Sequence, residues 1–98
     1  MELNNFKNSN EFDAMLRICI MQEKLSTEWI KKKWNLSKSK AKQLYEEADR
    51  FNDEVFFHGV LYELSFMDEP PTVARIMQEF DVSYLLAQKL FEFYMENC

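Results

Sequence analysis

The residue types that ordinarily carry covalent or acid–base chemistry are few in this chain and poorly spaced for it. There is one histidine, His58, and there are two cysteines, Cys19 and Cys98. No nucleophile or base stands at a meaningful spacing from His58, and neither cysteine forms a metal-ligand or redox pattern with it. The acidic pairs Glu46-Glu47 and Asp68-Glu69 read as solvated surface pairs, and nothing in the sequence activates the Cys98 thiol. The expectation is a protein without catalytic residues, metal or cofactor, and not an enzyme.

The chemistry that the sequence does concentrate is that of neutralising phosphate. Seven lysines (24, 31, 32, 33, 38, 40 and 42) face a single acid, Glu28, between residues 24 and 42, a local +6 in a chain of net charge −5. The bland reading is a solvated surface, and Lys31, Lys32 and Lys33 suit the C-terminal end of a helix. A helix beginning at Lys38 is harder to explain that way. Lys38 and Lys40 would fall in its first turn and Glu46, Glu47 and Asp49 near its end, the reverse of what the helix dipole favours, at about 0.3–1 kcal/mol per charge. That reversal suits a helix whose N-terminal half faces phosphates, as a recognition helix does in the major groove.

The elements that must position these lysines follow from composition and period. With 98 residues, 47% hydrophobic, one Gly and two Pro, the chain can build a core but has few of the turn residues that sheets need. An all-α fold of about six helices is expected. Residues 1–9 read as a flexible arm that Phe6 could pin to the core. Asn10 is a candidate cap for a first helix running to about Lys24, with Phe12, Met15, Leu16, Cys19 and Ile20 on its apolar side. Ser26 caps a short second helix carrying Trp29, Ile30 and Trp34. A corner, Asn35-Leu36-Ser37, leads into a third helix whose stripe is Ala41, Leu44, Tyr45, Ala48 and Phe51. Helix, three-residue corner, helix is the helix-turn-helix arrangement.

The pattern recurs. A shift of 46 residues places Ile30 on Ile76, Trp34 on Phe80, Leu36 on Val82, Ser37 on Ser83, Ala41 on Ala87 and Leu44 on Leu90 without a gap. Agreement in cap, corner and stripe together predicts two tandem tri-helical units, residues 10–51 and 53–98, packed as one compact domain. The same shift sets Leu61, Tyr62, Leu64 and Ser65 where Met15, Leu16, Ile18 and Cys19 stand, and so predicts a helix over 53–68. A hairpin wing near 55–62, turning at His58-Gly59, is the competing reading.

Both units resemble the gamma domain of the FtsK DNA translocase, a winged helix-turn-helix that recognises short G-rich orienting sequences. The resemblance rests on Ser26-Thr27 at the polar start, Lys31-Lys32-Lys33-Trp34 in the basic helix, Leu36 at the corner, and Ser39-Lys40-Ala41-Lys42-Gln43 in the recognition helix. It implies duplex DNA contact by Lys31, Lys32, Lys33, Ser37, Lys38, Ser39, Lys40, Lys42 and Gln43. Ser39, Lys40 and Gln43 replace that family's Asn and two Arg, Ser37 replaces the usual glycine after the corner, and no obvious wing follows. Bidentate guanine readout by arginine is therefore not implied.

The second unit carries nine acids against Arg75 and Lys89 over residues 52–98, a net −7 that repels phosphate. Tyr84, Leu85, Phe93 and Tyr94 are read there as a face that packs on the first unit, a second copy or a protein partner, or else as core. The leading expectation is a small regulatory or accessory DNA-binding protein of a phage, plasmid or bacterium. The alternative is a protein-interaction module or phage-type inhibitor acting through the acidic, aromatic second half. No apolar run is long enough to span a membrane, residues 1–10 do not resemble a signal peptide, and a cytoplasmic location is expected.

Overall fold

The computed structural model describes residues 6–97, and among these there are six helices and no strand. They are α1 (Asn10–Cys19), α2 (Thr27–Trp34), α3 (Lys38–Arg50), α4 (Glu54–Leu64), α5 (Val73–Phe80) and α6 (Tyr84–Glu96). The chain divides into two compact units between Phe51 and Asn52. In the first, α1 and α2 both pack on α3; in the second, α4 and α5 both pack on α6. Residues 1–5 of the arm and Cys98 lie outside the described residues.

Every helix starts on an oxygen-bearing side chain that accepts a backbone N–H two or three residues into the first turn. Ser26 accepts from Trp29, Ser37 from Lys40, Thr72 from Arg75 and Ser83 from Leu86, at 3.1–3.3 Å. Each such cap satisfies one of the donors a helix leaves open and contributes about 1 kcal/mol. The corners match as well. Asn35 (φ 54, ψ 50) and Asp81 (φ 51, ψ 51) are, among the described residues, the two non-glycine residues in left-handed backbone. Asn and Asp tolerate that region better than other side chains. At the first corner the Lys31 carbonyl accepts both the Asn35 and the Leu36 N–H, closing the end of α2.

The offset of 46 holds for α2, the corner and α3, whose bounds map onto α5, the second corner and α6 residue for residue. It does not extend to the first helix of each unit. The hydrogen bonds that close α1, from Ile20 to Leu16, Met21 to Ile18 and Gln22 to Cys19, reappear in α4 from Ser65 to Leu61, Phe66 to Glu63 and Met67 to Leu64, at an offset of 45. The connection from α4 to α5, which contains Pro70-Pro71, is one residue longer than that from α1 to α2. Cys19 therefore corresponds to Leu64 rather than Ser65, and Tyr62, expected opposite buried Leu16, is instead exposed. The hairpin reading of 55–62 is excluded, since α4 is continuous through Gly59.

Other expectations are corrected at the edges. The cap of α1 is Ser9, not Asn10, and the helix ends at Cys19 rather than near Lys24. The Ser9 hydroxyl accepts from the Phe12 N–H and donates to the Phe6 carbonyl, which holds Phe6 edge-on against the Phe12 ring at 5.1 Å. Phe6 is buried, so residues 6–9 are part of the first unit and not a loose arm. Glu47 is not a solvated acid. It is 1% exposed and pairs with Lys7 at 3.8 Å, while Tyr45, expected in the stripe, sits at its exposed edge.

The corner gives a direct test. Asn35→Ala keeps the helices but places an alanine in left-handed backbone, and is expected to cost about 1 kcal/mol, whereas Asn35→Gly should stay within about 0.5 kcal/mol of the parent. Denaturant midpoints of the two variants check this.

Candidate nucleic-acid interface

In the first unit the buried side of α3 is formed by Ala41, Leu44, Glu47 and Ala48, which turns Lys38, Ser39, Lys42, Glu46 and Asp49 to solvent. Helical spacing puts Lys38, Ser39 and Lys42 on the exposed surface of the N-terminal half, with Glu46 and Asp49 beyond them. Lys38 and Lys42 form no ion pair among the described residues, nor do Lys32 and Lys31 of α2. The first turn of α3 contains no acid. The reversed charge order is thus real at Lys38, Glu46 and Asp49, but it is softened at the other end by Arg50 in the last turn.

Two of the lysines are engaged by aromatic rings instead of standing free. Lys33 Nζ lies 5.6 Å from the Trp29 ring and 5.7 Å from the Trp34 ring, which meet each other edge to face at 5.8 Å. Lys40 Nζ lies over the Phe6 ring at 5.1 Å. Such contacts contribute about 0.5–1 kcal/mol at exposed sites and leave the charge in place. They fix where it sits. Lys33 and Lys40 are therefore positioned charges, and Lys32, Lys38 and Lys42 are exposed without ring or ion-pair contacts among the described residues.

The polar residues divide in the same way. Ser39 is exposed on the surface of α3, and Ser37 is exposed with its oxygen accepting the Lys40 N–H. Gln43 does not join them: its amide nitrogen is buried with no hydrogen-bond partner. The surface available to a ligand is narrower than the sequence set, and it centres on Lys32, Lys38, Ser39 and Lys42.

The second unit repeats the scaffold without this surface. Tyr84, Leu85, Leu86 and Gln88 stand where Lys38, Ser39, Lys40 and Lys42 stand. Of the four residues expected to form a contact face there, Tyr84 is exposed. Leu85 is 8% exposed and counts as core. Phe93 is half-buried against Phe57 at 5.4 Å and His58 at 5.3 Å, and Tyr94 is also half-buried. Leu85 thus follows the core alternative, while Phe93 and Tyr94 are partly covered within the second unit. Sequence reading also missed the exposed apolar residues Val55, Tyr62 and Phe66 on α4 and the turn after it. Their spacing on the side of α4 opposite Phe57, Val60 and Leu64 was the available signal.

His58 is exposed and meets only the edge of Phe93 in ring contact, and no group of His, Cys, Asp and Glu among the described residues could hold a metal. No helix among them is long and apolar enough to cross a membrane. Burial pushes the Cys19 thiol from 9.0 up to about 11. Well below pH 9.0 the thiol is protonated whether or not the chain is folded; between 9.0 and about 11 mainly the unfolded chain ionises, so stability falls across that window. In a Cys98→Ser background, Cys19 is expected to react with a thiol reagent at neutral pH only as fast as the first unit opens, and at full rate in denaturant.

No family model, curated protein or solved structure matches the chain.

Proposed function

We propose that the first unit binds duplex DNA through the N-terminal half of α3, with α2 contributing backbone contacts. The observation that carries this reading is the pair Lys38 and Lys42, exposed on one surface of α3 beside Ser39 and without ion pairs, on the second helix of a helix-turn-helix. A helix entering the major groove presents its N-terminal residues to bases and phosphates, and lysines there release counterions on binding. Lys32 adds a phosphate contact from α2, and the ring-held Lys33 a fixed charge beside it. Ser39 is the residue best placed to touch a base edge. With lysine and serine but no arginine on this surface, backbone contacts dominate and base selectivity is modest.

The acidic second unit does not share the DNA. Its charge opposes phosphate, and Tyr84, Leu85, Gln88 and Gln78, at the positions of Lys38, Ser39, Lys42 and Lys32, carry no positive charge, so it orients or recruits rather than reads. On this reading the protein is a small non-enzymatic accessory or regulatory factor.

The test is a titration of a fluorescent duplex across a range of salt. Each phosphate contact adds about 0.9 to the slope of log affinity against log salt, so Lys32→Ala/Lys38→Ala/Lys42→Ala is expected to lower the slope by roughly 2 to 3. Because these side chains are exposed and unpaired, the melting temperature should hardly move. Parent-like binding by the triple variant, or binding indifferent to salt, would remove the proposal.

A further inference from the structure

The two units share a scaffold, so each serves as a control for the other. On the side of α4 away from the core, Val55, Gly59, Tyr62 and Phe66 form one stripe through the helix and the turn after it. Val55, Tyr62 and Phe66 are 83%, 67% and 69% exposed. At the offset of 45 that aligns the two helices, the first unit carries Asn10, Ala14, Arg17 and Met21. A helix of this scaffold thus folds with a largely polar or small outer side, and the apolar residues of α4 are not required by folding. Tyr62 and Phe66 already meet edge to face at 4.9 Å, a preformed pair that loses little entropy when covered.

Gly59 supplies the second observation. It is the chain's one glycine, it sits in mid-helix, and a Cβ added there meets nothing within 4 Å. The chain itself has no use for the missing side chain, and glycine disfavours a helix. Its place in the middle of an apolar stripe is where a second helix axis would cross closely.

Charge selects the occupant. Residues 51–74 contain five acids (Asp53, Glu54, Glu63, Asp68 and Glu69) and no Lys or Arg. Glu54 and Glu63 flank the stripe, and Asp68 and Glu69 follow Phe66. Nucleic acid, an anionic bilayer or a second copy of the same surface would be repelled. We infer that the outer side of α4 docks a Lys- or Arg-rich amphipathic helix of another protein, its apolar residues at i, i+3 and i+4 meeting Tyr62, Phe66 and Val55 and its backbone crossing at Gly59. From Val55 to Phe66 the stripe runs about 16 Å, three turns of a partner helix. The surface is independent of the lysines of α3.

The experiment is a selection from a displayed library of random helical peptides on the immobilised full chain. Recovered peptides are then titrated against the parent, Tyr62→Ser/Phe66→Ser and Gly59→Ala, with sedimentation of each protein alone. Basic amphipathic peptides should be enriched and should lose at least about tenfold in affinity for the double variant, which folds normally because both rings are exposed. Gly59→Ala should melt about 3–6 °C higher than the parent yet bind the peptides several-fold more weakly. Peptides that are not basic, or that bind the double variant like the parent, would overturn the inference. Self-association of the parent that the double variant abolishes would overturn it too, by assigning the surface to a second copy.

Discussion

Each unit depends on a corner in which one residue takes left-handed backbone and a hydroxyl two residues later caps the next helix. Asn35 with Ser37, and Asp81 with Ser83, end one helix and begin another within three residues. A short connection leaves little choice in how the helices diverge, and the apolar positions follow from it. Ile30 and Leu44, like Ile76 and Leu90, are almost completely buried. The N-terminus of α3 is thereby delivered to the surface with its lysines, and that of α6 with Tyr84 alone exposed among its first three residues.

Much of this was legible because it is local. A hydroxyl before an apolar period marks a cap, and four of the caps and both corners stand in the sequence with their partners three residues away. What was not legible depends on distant contacts. Ser9 and Asn10 are both good caps, and the choice between them is settled by Phe6 folding onto Phe12. Glu47 looks like its exposed neighbour Glu46, but Lys7 reaches it from forty residues upstream. The single-residue lengthening before α5 is hidden among prolines and acids, so the offset of 46 misaligns the first helices by one position and sets Tyr62 against buried Leu16. The lysine surface of α3 could be read from period alone. The capture of Lys33 by two indoles and of Lys40 by Phe6 could not.

The two units show how far a helix scaffold and its surface can vary separately. Backbone hydrogen bonds, caps and corners recur, while the charge reverses from the lysine-rich segment of one unit to the acids of the other. Hydrophobic burial holds the scaffold, and the exposed positions are then free to vary, since surface changes cost little stability. The recurring geometry therefore carries no function by itself. Corresponding surfaces differ most at α3 against α6 and at α1 against α4, the two places on which the proposed DNA contact and the proposed helix docking rest.

The indole pair around Lys33 has an optical consequence. Trp29 and Trp34 are the chain's two tryptophans, and both belong to α2. Tryptophan emission therefore originates in the first unit, while the backbone signal of the helices comes from both. The ammonium between the rings makes that emission sensitive to the position of Lys33. Unlabelled protein thus has a built-in means of distinguishing the opening of one unit from that of the other, and of registering an anion that draws Lys33 away from the rings.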